Sequence, residues 1–364
     1  MQSPSYELDP RGDVLLTLRQ PNLHELVWGT STSVNPADGQ EAGNLFGVFE
    51  EPESEPEPGS ESTLASSDKS NGTDESEAIT FRLSSRHLCL ASPIFNAMLC
   101  GSWKESAGSV ELQLSYDIAA TEWNTEALLL LMNIIHGHHR KVPHSVDLDT
   151  LAQLSILVDY YECYEIIEFF AHLWIDKLSS KLPTSYGRES VIWLFVSWVF
   201  SKDAIFEKMT ELALKECEKP LDTMCLPLPP LLLSDIEEKR TLSLYNILSA
   251  LGELREDLMK GKKGCTFECS SMLLGSLIKE MDKHEINEDQ LLESFSDRSI
   301  AQFKSTLLGF QKPVWYSNSR SNGYNHYSSH PSYHSCCINS MVEPMIDIVW
   351  KNLNGLKLDE YRAQ

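Results

Sequence analysis

GDVLLTL at residues 12–18 and ITFRL at residues 79–83 alternate apolar residues with others. A period of two puts Val14, Leu16 and Leu18 on one face of the first segment, and Ile79, Phe81 and Leu83 on one face of the second. Both therefore read as strands of a sheet with one buried face. SVELQL (109–114) repeats the pattern through Val110, Leu112 and Leu114. Pairing of the first two strands would make everything between them a single long hairpin loop.

That intervening chain has its own composition. Residues 36–78 hold 12 acidic residues against one basic residue, Lys69, with four prolines and five glycines. Too little apolar surface is present to offset chain entropy, so the tract reads as a disordered acidic insertion. Closure entropy grows only with the logarithm of loop length, so a sheet tolerates such an insertion. The tract supplies much of the net charge of −23. That balance argues against nucleic acid as a partner, because phosphate binding rests on Lys and Arg displacing counterions. It argues equally against an anionic membrane surface.

Helices dominate the rest. Ser92-Pro93 reads as a helix start, with Ser as cap and Pro at the first helical position, followed by IFNAML. A helix over 122–136 places Leu128, Leu131, Met132 and Ile135 on one side, and another covers 149–160. In the next, Ile166, Phe169, Phe170 and Leu173 fall at i, i+3, i+4 and i+7 and predict the core-facing stripe. LPTSYGRES (182–190) reads as a turn and cap before the almost wholly apolar VIWLFVSWVF (191–200), a helix that neighbours must enclose. CLPLPPLLL (225–233) reads as a linker. Helices follow over 234–260, 270–283 and 339–353, with an irregular loop at 310–337. No apolar run reaches the length of about 18 residues that spans a bilayer, and the start MQSPSYELDP lacks the features of a secretory signal. Nine scattered cysteines then read as reduced thiols of an intracellular protein, cytoplasmic or nuclear.

Chemistry-bearing motifs are sparse. No phosphate-binding GxxxxGK[ST] loop, GxSxG elbow or HExxH pair occurs, so no enzyme is expected and no cofactor apart from a candidate zinc ion. His136, His138 and His139 cluster beside Arg140 and Lys141 and read as surface histidines. Cys265 and Cys269, four apart, share a helix face, and His334 and Cys336 follow from a distant loop. Together the four make a candidate tetrahedral zinc set, although their spacing matches no standard finger. A zinc- or thiol-dependent activity in this region is one alternative function.

The order strand, strand, capped helix, strand, helix, helix, helix resembles a BTB/POZ domain. GDVLLTL with Asp13-Val14 is similar to the first strand of that family, LASPIFNAML (90–99) to its Ser-Pro-x-Phe helix start, and WKES (103–106) to the segment before its third strand. IIHG (134–137) and VDYYECYEII (158–167) resemble segments of its later helices. More narrowly, the chain resembles fungal proteins of the family that carry an acidic insertion and a helical C-terminal region.

The resemblance implies an α+β fold. Residues 1–35 and 79–180 would form the BTB-like domain around the insertion at 36–78, followed by a helical extension at 181–225 and a helical C-terminal domain at 226–364. It implies a non-catalytic protein–protein interaction module that self-associates as a homodimer or recruits partners. Arg86, His87, Phe95, Asn96 and Met98 are the implied contact residues, of which Phe95 and Met98 also suit a core. One branch of the family engages a cullin scaffold through a hydrophobic-x-Glu motif. Trp103-Lys104-Glu105 fits that pattern, so a cullin-dependent ubiquitin-ligase adaptor is the alternative reading. Ser84-Ser85 stand where the family usually has His-Lys, with Arg86-His87 two residues on.

Overall fold

In the computed structural model the described residues are 4–23, 25–29, 78–100, 116–286, 298–314 and 336–362. The chain divides into two compact units, Met1–Lys181 and Leu182–Gln364. No described helix is long and apolar enough to cross a membrane.

The first unit is α+β. Strands β1 (Ser5–Glu7), β2 (Val14–Arg19), β3 (Ile79–Leu83) and β4 (Tyr116–Thr121) form a mixed sheet in the order β1-β3-β2-β4. β2 and β3 are antiparallel, with Val14 opposite Leu83, Leu16 opposite Phe81 and Leu18 opposite Ile79. The expected pairing across the acidic tract is therefore present, and all six side chains are buried. β1 joins β3 and β4 joins β2, both in parallel. β4 was not among the expected strands, because YDIAAT offers only Ile118 as a large apolar residue. The expected strand at 109–114 and nearly all of the acidic tract lie outside the described residues.

Helices α1 (Ser85–Ala91) and α2 (Pro93–Cys100) follow β3. Asp13, at the entry to β2, accepts hydrogen bonds from the Ser85 backbone N–H at 2.8 Å and its hydroxyl at 2.7 Å. Burial pushes the Asp13 carboxyl up, but these hydrogen bonds outweigh it and hold the pKa below the usual value. At the second junction, Ser92 is buried and its oxygen accepts from the Phe95 N–H at 3.0 Å, which is the expected cap. The same hydroxyl donates to the Tyr161 carbonyl, and Phe95 stacks on the Tyr161 ring at 4.3 Å. The Ser-Pro-x-Phe segment thus plugs onto the end of α4 (Leu148–Tyr161). α3 (Thr125–Ile135) and α5 (Tyr164–Leu178) are the other α-helices among its described residues.

α5 corrects one expectation. Its buried face is Ile167, Ala171, Trp174 and Ile175, while Phe169 is 75% exposed and Ile166 also faces out. Both stripes satisfy helical spacing. The true one was harder to see because it includes the small Ala171. It is anchored by Trp174, whose indole N–H donates to the Pro143 carbonyl at 3.0 Å.

The second unit is helical: α6 (Arg188–Val199), α7 (Asp203–Glu216), α8 (Pro230–Met259), α9 (Phe267–Lys283), α10 (Ile300–Leu308), α11 (Ile338–Asn352) and α12 (Asp359–Arg362). α6 is enclosed almost all round, as its composition requires. α8 packs on α7, α9 and α11, and its Leu244, Ile247, Leu248, Leu251, Leu254 and Leu258 are buried. The proline-rich 225–233 is packed rather than a bare linker. Leu226 and Leu228 are buried, and Pro230 opens α8 at a position where its missing N–H costs nothing. Beyond α11, Gly355 lies so close to α7 that a Cβ there would overlap the Glu207 carbonyl. Leu356 N–H then donates to the Thr210 hydroxyl, and the Tyr361 hydroxyl to Asp235.

Candidate functional site

The sequence-nominated contact residues fall into two groups. Phe95 and Met98 are buried in the core of the first unit, so neither is free to meet a partner. Arg86, His87 and Asn96 are exposed on α1 and α2. Leu90, also on α1, is 90% exposed and was not singled out, because nothing in its local sequence distinguishes it from a core leucine. Trp103 and Glu105 lie outside the described residues.

The histidine group resolves into structural roles. His136 accepts from the Ser84 N–H through Nε2 at 3.0 Å and donates through Nδ1 to the Met132 carbonyl at 2.9 Å. Desolvation holds its pKa below 6.5. The His87 ring stacks on it at 5.2 Å. His138 Nδ1 lies 3.3 Å from the Asn133 side-chain oxygen, and His139 meets Phe170 edge-on.

The cysteines do converge. The Sγ atoms of Cys265, Cys269 and Cys336 all lie within 4.8 Å of one another, a group able to hold a metal ion. Each position follows from a helix start. Thr266 caps α9, its hydroxyl oxygen accepting from the Cys269 N–H at 3.1 Å, which leaves Cys265 just before the cap and Cys269 in the first turn. Cys337 caps α11, accepting from the Ser340 N–H, with Cys336 just before it. Cys269 is 1% exposed, Cys336 half-buried and Cys265 exposed. Desolvation, then the neighbouring thiols Cys269 and Cys336, push the Cys265 thiol pKa up. His334, the fourth nominated ligand, lies outside the described residues.

Gly264 fixes the approach to this cluster. Its φ is +94°, and a Cβ there would meet the Ser270 backbone nitrogen at 2.9 Å. The loop after α8 can therefore press against the first turn of α9 and deliver Cys265 beside Cys269. Elsewhere in this unit a cavity of about 650 Å³ is lined by Lys283, His284, Arg298 and Gln302. Arg298 donates there to the His284 carbonyl at 2.9 Å. A second thiol pair, Cys89 and Cys100, sits 3.7 Å apart between α1 and α2.

No protein-family model matches the chain. No curated protein matches it either.

Proposed function

We propose that the first unit is a protein–protein interaction module of the BTB/POZ type, acting by self-association or partner recruitment and not by catalysis. One observation carries the reading. β2 and β3 pair as a hairpin across the acidic tract, the Ser92-capped α2 follows, β4 returns parallel to β2, and α3, α4 and α5 come after. The order matches the one the resemblance implies for the first two strands, the capped helix and the later helices; β4 stands at 116–121, and the strand expected at 109–114 lies outside the described residues. The exposed Arg86, His87, Leu90 and Asn96 on the α1–α2 pair supply a mixed apolar and polar surface suited to a protein partner.

Light scattering on the full chain over a wide concentration range tests self-association, with Leu90→Asp as the surface variant. A dimer that weakens in Leu90→Asp, with an unchanged melting temperature, supports the module. A strict monomer at high micromolar concentration that also captures no stoichiometric protein from its native extract overturns it. Capture of a cullin by the wild type but not by Glu105→Ala would select the adaptor form of the same reading.

In the second unit we read the three-thiol group as a zinc site. Thiolates favour zinc, copper(I) and iron–sulfur centres over hard cations, and zinc commonly occupies structural cysteine sites.

A further inference from the structure

Resting on the zinc reading, we propose that Cys265, Cys269 and Cys336 form a metal clamp that ties the amino-terminal ends of α9 and α11 together, making the second unit a metal-stabilised fold.

The geometry asks for little movement. Zinc–sulfur bonds of about 2.3 Å place tetrahedral sulfurs about 3.8 Å apart, and the three Sγ atoms already lie within 4.8 Å. A contraction of about 1 Å at most closes the set, within the reach of side-chain rotation at the exposed Cys265. The thiols also come from two chain segments about 70 residues apart. Apart from the cluster, α9 and α11 pack on each other and each packs on α8. An ion shared by the two helix starts adds a cross-link where neither helix has yet begun its own hydrogen-bond ladder.

Charge favours the same arrangement. Three thiolates around one divalent ion leave a net charge of −1. All three sulfurs sit at helix starts, before or within the first turn of α9 and before the cap of α11. The positive ends of two helix dipoles, in helices of 17 and 15 residues, therefore face the anionic centre. Oxidation to a disulfide would join only two of the sulfurs and leave the third over, whereas a metal ion uses all three.

The test uses the full chain, purified reduced and stripped with a chelator, then titrated with zinc and separately with cobalt(II). One ion should bind per chain, with a thiolate-to-cobalt charge-transfer band. Cys336→Ser should weaken binding about 100-fold or more, and Cys225→Ser, which changes an exposed thiol outside the cluster, should not. Zinc at about 100 times its dissociation constant should raise the melting transition of the second unit by about 5–10 °C. Hydrogen exchange should slow in the first turns of both α9 and α11.

Binding without the melting shift and without slowed exchange would overturn the clamp while leaving the zinc reading in place. Failure of both ions to bind overturns clamp and zinc reading together. A native disulfide within the trio, or an iron–sulfur absorption spectrum in the unstripped protein, overturns the zinc reading and the clamp with it.

Discussion

His136 commits both ring nitrogens, one as donor to Met132 and one as acceptor from Ser84, so the neutral ring belongs to the fold. Protonation would turn the Nε2 acceptor into a donor facing the Ser84 N–H. Because desolvation lowers the folded pKa below 6.5, the unfolded chain takes up this proton at higher pH than the folded chain does. The stabilising contribution is therefore complete above about pH 6.5 and is lost as pH falls below it. Melting of the first unit should drop between pH 7 and pH 5. His136→Phe should flatten that slope and destabilise the unit by about 1–3 kcal/mol even at pH 7. An unchanged slope in the variant would remove His136 from the account.

Arg240 is the corresponding residue in the second unit. It is 1% exposed, forks onto Glu237 through Nε and an NH2 group, and donates to the carbonyls of Glu218 and Arg298. Arg240→Met keeps the volume but leaves those carbonyls short of a donor, so a loss of about 2–4 kcal/mol in urea unfolding is expected. Neither role was legible in the sequence. Met132 and Glu237 stand at ordinary helical spacings that single out nothing, and the partners 52 residues away for His136, and 22 and 58 away for Arg240, have no local spacing to read.

At the scale of elements the sequence was more informative. β3 was expected at its observed bounds, and β2 within two residues at its start, because alternation with a buried face is a strong signal. The start of α2 was legible in Ser92-Pro93, since cap and proline act locally. α5 was legible as a helix and misread as a face. Trp174→Ala should therefore cost about 3–5 kcal/mol, while Phe169→Ala should stay within about 0.5 kcal/mol. Equal losses in the two variants would mean that something covers the outer stripe. The thiol set was legible for a related reason. Cys265 and Cys269 share one helix start, so their pairing follows from spacing, but only the packing of α11 near α9 brings in Cys336.

Over the whole molecule, the β2–β3 pair closes a loop of about 60 residues, most of it the acidic tract. Deleting residues 36–65 halves that loop and should raise the stability of the first unit by about 0.6 kcal/mol. Loss of the fold in that deletion would show the tract to be part of the structure. The acidic run also explains why charge and fold can be read separately. Its removal would strip out much of the net −23 without touching a single residue of the sheet.

The same separation sets a timetable for synthesis. β2 leaves the ribosome with its antiparallel neighbour still unmade, and at about 5–20 residues per second it waits roughly 3–12 s for β3. Throughout that interval neither backbone edge of β2 has its native strand to pair with, because β4 is made later still. A nascent chain of this protein therefore passes through a window in which chaperone capture and mispairing compete with productive folding, and slower translation of the acidic codons would widen it.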